Sequence, residues 1–386
     1  MQPTGILETS KATNPVKDLL KFGQSIWLDY IRRDLIETGE LKRLIDEDGL
    51  RGMTSNPSIF EKAIVDSKYY QNSLKELDAR TDLDANGRYE VLAIRDIQDA
   101  ADVLRPVYQS TSKRDGYVSL EVSPLLARDT DRTLNEARRL WKAVGRENIM
   151  IKVPGTPEGI PAFRQLISEG ININVTLLFA QKVYEEVAEA YIAGMEQLAS
   201  RGGDLSKVAS VASFFISRID SSVDSLIEQR LKTAKNEKEK AELQGLMGKA
   251  AIANGKQTYQ KYQKIFGSDR WKKLAAKGAQ TQRVLWASTS TKNPKYSDIM
   301  YVEELVGPDT VNTVPPATLD AYRDHGHPRQ SLTEDLEGAN RTMRKLEEVG
   351  ISIKEVTEKL TEDGVRLFAD AFRKLLKAVE VTSKSK

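Results

Sequence analysis

Residues 147–156 read ENIMIKVPGT. Ile149, Ile151 and Val153 are apolar, Met150 lies among them, and Pro154 and Gly155 close the run. That is the length and composition of a strand buried on both faces, the kind a parallel sheet requires. Lys152 disagrees with it. Desolvating an ammonium is costly, so either its head escapes to water or the amine is kept there for its chemistry. Side chains alternate across a strand. Asn148, Met150 and Lys152 therefore share one face, and Ile149, Ile151 and Val153 share the other.

Working outward from this strand, the chain alternates short apolar runs with helical sequence. Strand-like runs fall at 24–31, 50–60 (a brief strand entering an Asn-Pro turn), 116–124, 148–154, 171–179, 207–220, 283–291 and 309–316. Helical stretches lie between them, including one from Arg32 that stops on Gly49 and a long one over about 60–113. Eight apolar strands, each followed by helical sequence, predict an α/β fold with a parallel sheet, closed as a single (β/α)8 TIM barrel with additional helices. An open doubly wound sheet is the alternative. It is disfavoured because no G-x-G-x-x-G follows the first strand and no P-loop occurs. The 386 residues exceed the ~250 typical of such a barrel. The excess is assigned to the 60–113 region, a charged helical insertion at about 221–280 and a helical C-terminal segment at about 329–380. All belong to one domain spanning 1–386.

The balance of 58 Lys and Arg against 56 Asp and Glu offers no basic excess for nucleic acid. With no cysteine, a thiol nucleophile, a disulfide framework and a cysteine metal site are excluded. A histidine triad or multi-histidine metal site would have to use His325 or His327, which are expected to be loop residues and are assigned nothing. No apolar run approaches the ~20 residues of a membrane helix, and the stretch MQPTGILETSKATNPVKDLL lacks a secretory core. The expectation is a cytoplasmic enzyme.

Strand parity sets where the polar groups point. Asn172, Asn174 and Thr176 oppose Ile171, Ile173, Val175 and Leu177. Tyr117, Ser119 and Glu121 oppose Val118, Leu120 and Val122, while Ser25, Trp27 and Asp29 oppose Ile26 and Leu28. Each polar face would look into the barrel, whose C-terminal end houses the active site. Lys152, Asp29, Glu121, Asn174 and Thr176 then converge at one mouth. An amine beside carboxylates suits Schiff-base chemistry on a ketone or aldehyde. The alternative, open on spacing alone, is an internal ion pair that merely fills the barrel.

The sequence resembles the transaldolases, in the longer form with an insertion before the seventh strand. GMTSNPSIF matches the family's T-[ST]-N-P-S signature, and IMIKVPGTPEGIPAFRQLISEGININVTLLF matches its lysine signature with the following strand. SVASFFISRID and VLWASTSTKNP are similar to its sixth and seventh strands. The resemblance covers about residues 15–375. It implies transfer of a dihydroxyacetone unit from sedoheptulose 7-phosphate or fructose 6-phosphate to glyceraldehyde 3-phosphate or erythrose 4-phosphate, in the non-oxidative pentose phosphate pathway. By the same resemblance Lys152 forms the Schiff base and Asp29 takes the C4 hydroxyl proton. Glu121 and Thr176 act through a held water. Asn56, Asn174 and Ser213 hold hydroxyls, Phe215 borders the pocket, and Arg218, Ser288 and Lys292 meet the phosphate. No metal and no cofactor are implied, because the iminium is the electron sink. The expected partners are sugar phosphates, with no nucleic acid and no membrane, and the expected state is monomer or homodimer.

One departure concerns the seventh strand. Short transaldolases end it in A-S-F-R, and here Ser290 aligns with that arginine, which makes Lys292 the replacement charge. A fructose 6-phosphate aldolase releasing dihydroxyacetone to water, and a non-catalytic sugar-phosphate-binding barrel, are the competing functions. Other positions are given structural roles. Thr156 in PGTPEG is expected to cap a helix, Trp27 and Trp286 to fill the barrel, Tyr259 and Tyr262 to pack the insertion, and the charge run at 236–243 to form a solvated helix face.

Overall fold

The apolar strands close on themselves. In the computed structural model, which describes residues 14–384, they are β1 (Gln24–Asp29), β2 (Gly52–Thr54), β3 (Tyr117–Glu121), β4 (Ile149–Pro154), β5 (Ile173–Leu178), β6 (Ser210–Phe215), β7 (Arg283–Ala287) and β8 (Thr310–Val314). All pair in parallel in chain order, and β8 returns to β1 to close the barrel. Closure leaves no unpaired sheet edge. Residues 1–13, most of the stretch examined for a secretory core, lie outside the described residues. Among the described residues no helix is long and apolar enough to cross a membrane.

The strands are shorter than the apolar runs suggest. The run at 207–220 is a strand only to Phe215, and a helix starts at Ser217. The run at 283–291 leaves the sheet after Ala287, where Ser288 takes φ +55°. In β5 the register with β6 shifts between Val175 and Leu178, and Leu177 adopts φ +63°. Such a bulge ends the simple alternation and re-aims the last side chains at the rim.

Helices are also more broken than the sequence predicts. The 60–113 region is three helices, Pro57–Asp66, Gln71–Asp78 and Ala85–Ser110, the last capped by Asp84 through the Gly87 N–H at 2.8 Å. The stretch that stops on Gly49 is two helices, Arg33–Glu37 and Glu40–Asp48, parted at Gly39. Asn56-Pro57 opens a helix rather than a turn, with proline in the first turn where its missing N–H costs nothing. His325 ends the helix Pro316–His325 and bonds Asp298 and Asp324. Beyond β6 come Ser217–Leu231, Glu237–Gln244, Ala250–Phe266 and Asp269–Ala275. Tyr259 and Tyr262 stack at 5.6 Å and tie Ala250–Phe266 to the Pro308 carbonyl and the Thr281 hydroxyl.

The N-terminal end of the barrel is plugged. Trp27 is fully buried and fills the interior beside Gly52, its register partner. A Cβ on Gly52 would stand 2.6 Å from the indole, so only glycine fits there. Beneath them Arg283 pairs with Asp115 at 2.8 Å, and the Ser25 hydroxyl and Trp27 indole N–H also donate to that carboxylate. Burial alone would raise the Asp115 pKa, but Arg283 and these hydrogen bonds hold it below the ordinary value. Trp286 does not fill the barrel. It lies on the opposite parity from the cavity-lining Ala287, buried beneath the helices and edge-on to Phe214 at 6.3 Å.

Candidate active site

At the opposite, C-terminal end the barrel opens into a cavity of about 910 Å³. Lys152 rises into it from β4, almost covered, with Nζ donating to the Ser55 carbonyl at 2.9 Å. Glu121, last residue of β3 and register partner of Lys152, places Oε2 3.5 Å from the amine. Asp29, last residue of β1, accepts from the Thr54 hydroxyl at 2.7 Å. The Thr313 hydroxyl donates in turn to Thr54 at 2.7 Å. One position thus follows from strand length, the next from register, and the third from a threonine pair spanning β8, β2 and β1.

Desolvation raises both acids above the ordinary carboxylate range. For Asp29 it outweighs the attraction of Lys152, the Thr54 hydrogen bond and the Lys292 charge. For Glu121 it outweighs Lys152, while the charge of Asp29 adds to the rise. Two carboxyls within the field of one amine, each easier to protonate than in water, can exchange protons with reacting oxygens.

All the positions singled out in the sequence gather here, and all but Glu121 and Asn174 line the cavity itself. Asn174 lies just below, donating to the Ser119 hydroxyl at 3.1 Å and accepting from Ser213 at 2.7 Å. Asn56 accepts from the Ile59 N–H and so caps the helix Pro57–Asp66 while bordering the cavity. Thr176 faces in from β5. Its hydroxyl and Glu121 Oε2 are buried with no hydrogen bond inside the protein, a state that buried polar atoms rarely keep. Thr156, by contrast, accepts from the Gly159 N–H at 3.0 Å and donates to the Ala127 carbonyl. It was expected to cap a helix; it instead ties down the turn that enters the helix Gly159–Ser168, whose N-cap position is Glu158.

Cations collect on one side of the mouth. Arg218 stands in the first turn of Ser217–Leu231, its guanidinium 5.5 Å from the Phe215 ring centroid. Ser288 meets the Ser217 hydroxyl at 3.0 Å, and Lys292 donates to Ser290 at 2.6 Å. Desolvation lowers Arg218, which stays charged. Desolvation and the neighbouring Arg218 lower Lys292, against the pull of Asp29.

Several site residues were missed by the sequence reading. Thr54 and Ser55 stand inside the TSNPS signature, so the signal was at hand. Thr313 shares inward parity with Val311 on β8 but carries no distinguishing mark. Phe368 comes from the helix Ile353–Lys384, which lies over the mouth and sets its ring 5.9 Å from Lys152 Nζ. Nothing local in the sequence marks a helix more than 200 residues downstream of the lysine as its roof.

With this geometry in place, likeness to known proteins is specific. Residues 26–379 match the family "Transaldolase/Fructose-6-phosphate aldolase". A transaldolase of Trichodesmium erythraeum is 50% identical over 370 residues, covering 95% of this chain and 97% of that protein. Transaldolase 2 of a Nostoc species is 48% identical over 372 residues, 96% and 97% of the two chains. A Parafrankia transaldolase is 46% identical over 368 residues, 95% and 97%. The chain belongs to the transaldolase/fructose-6-phosphate aldolase family.

Proposed function

We propose that this protein is a transaldolase whose Lys152 carries the dihydroxyacetone unit between sugar phosphates. The supporting observation is the amine of Lys152, 3.5 Å from Glu121 and in the field of Asp29, at the floor of a cavity rimmed by Arg218 and Lys292. Lys152 attacks the C2 carbonyl of a ketose phosphate to give a carbinolamine. Glu121 and Thr176, through a held water, move the protons that expel hydroxide as water and leave an iminium.

Asp29 then removes the proton of the C4 hydroxyl. The C3–C4 bond breaks, C4 leaves as the carbonyl of an aldose phosphate, and the bonding pair flows through C3 and C2 to the nitrogen. The resulting enamine attacks the aldehyde of an acceptor, Asp29 returns the proton to the new hydroxyl, and water releases the product ketose. Asn56, Asn174 and Ser213 hold the hydroxyls of the three-carbon unit. Arg218, Ser288 and Lys292 hold the phosphate. The helices within about 221–280 and the C-terminal segment serve this one barrel as a single unit.

The test offers fructose 6-phosphate alone and then with erythrose 4-phosphate. A transaldolase transfers fast only when the acceptor is present. Rapid release of free dihydroxyacetone without it would instead assign the aldolase reaction. Borohydride with fructose 6-phosphate should leave a reduced three-carbon unit on Lys152.

A further inference from the structure

The helix Ser217–Leu231 carries three polar side chains along one face, at Ser217, Asp220 and Asp224. Each fixes a different point of the segment after β7. The Ser217 hydroxyl meets the Ser288 hydroxyl at 3.0 Å, where that segment leaves the sheet. Asp224 Oδ2 accepts from the Tyr296 hydroxyl at 2.7 Å, and Asp220 Oδ2 from the Tyr301 hydroxyl at 2.9 Å. The other oxygen of each acid faces the opposite way. Asp224 Oδ1 accepts from the Gly248 N–H at 2.9 Å, and Asp220 Oδ1 from the Ala251 N–H at 2.8 Å. Both acids are buried, and neither is used by the chemistry above.

We propose that Asp220 and Asp224 are positioning residues for the phosphate end of the substrate, pegging the segment that carries Ser288, Ser290 and Lys292 to the helix that carries Arg218. The inference rests on reading Arg218, Ser288 and Lys292 as the phosphate site. It also gives the helices before β7 a role. Gly248 sits at φ +68°, and a Cβ there would stand 2.8 Å from Tyr296 Cζ. The turn into Ala250–Phe266 is therefore packed directly on the tyrosine that sets the loop. Lys292 borders both the catalytic cavity and the small cavity of about 190 Å³ formed with Asp224, Asn293 and Tyr296. Holding two cations in place before the anion arrives is the preorganisation that charge-assisted binding needs, since otherwise their repulsion would part them.

Two variants test it from opposite sides, Tyr296→Phe from the loop and Gly248→Ala from the turn. Three readouts are compared with the parent: KM and kcat for fructose 6-phosphate, competitive inhibition by inorganic phosphate, and borohydride trapping of dihydroxyacetone, which has no phosphate. Expected is a roughly five- to tenfold rise in KM and an equal weakening of phosphate inhibition, the scale of one ordinary hydrogen bond and less than the loss of a cation itself. Trapping should be unchanged and kcat should stay within about twofold. Unaltered KM and phosphate inhibition in both variants would overturn the proposal. So would parallel loss of trapping and kcat, which would mean general damage to the mouth. If the parent itself fails to trap either sugar, the Schiff-base reading fails instead, and the phosphate arm still reports on the loop.

Discussion

Glu121 and Lys152 are register partners on adjacent strands, and the carboxylate oxygen stands 3.5 Å from the amine with each side chain only 6% exposed. Removing either partner leaves the other buried and uncompensated. The two losses should nonetheless differ in kind. Lys152→Ala should abolish the borohydride adduct and lower kcat by at least ~10³. Glu121→Gln keeps the amine and should slow formation of the adduct by ~10²–10⁴, the range for a positioned proton-transfer group. An adduct of normal yield in Lys152→Ala would refute the assignment.

In the proposed mechanism Asp29 acts after the Schiff base has formed. Asp29→Asn should accordingly keep the trapped adduct yet lose ~10²–10⁴ in transfer rate. Desolvation raises its pKa, and the base form is the active one. Activity should fall on acidification at a pH above the ordinary carboxylate value. A rate profile flat down to the range of a free aspartate would contradict this.

In the proposed function Lys292 meets the phosphate and not the reacting carbons. Its change to Ala should raise KM for phosphorylated sugars far more than it lowers kcat. A factor of about 10–100 is the scale of one charged hydrogen bond. An unmoved KM would leave Arg218 and Ser288 as the phosphate ligands.

Asp220 offers a stability test with a defined sign. Burial raises its pKa from the ordinary 3.8 to about 7, despite the Ala251 N–H and Tyr301 hydroxyl it accepts from. A folded-state value above the unfolded one favours folding below pH 4, and that contribution disappears as pH climbs through about 7. The full difference is on the order of 4 kcal/mol. Asp220→Asn cannot ionise. Its Tm relative to the parent should therefore rise steadily between pH 5 and pH 8, and a difference independent of pH would show that Asp220 does not titrate there.

Gly52 tests the packing of the floor. Gly52→Ala drives a methyl into the indole of Trp27, 2.6 Å away, and overpacking of that kind costs about 1–3 kcal/mol. The Tm should drop by several degrees while the Lys152 adduct still forms. An unchanged Tm would mean that Trp27 can move aside.

Strand parity was enough to bring Asp29, Glu121, Lys152 and Thr176 to one rim, because the two-residue period of a strand is fixed by backbone geometry whatever surrounds it. Trp286 was misplaced because bulk and not parity was used for it. A residue bulky enough to fill a barrel packs equally well between strand and helix, and its alternation with the cavity-lining Ala287 puts it outside. The break at Gly39, where φ is +80°, was not foreseen, since helical residues flank it on both sides.

What the chain's own residues determined was the alternation of strand and helix, and the placing of an amine and two acids at strand ends. Both follow from short-range sterics and burial. Closure decided the rest. It brought Phe368 over the amine and turned Asp220 and Asp224 toward tyrosines 81 and 72 residues away. Such contacts join elements with no shared periodicity, so their energy exists only once the barrel has formed.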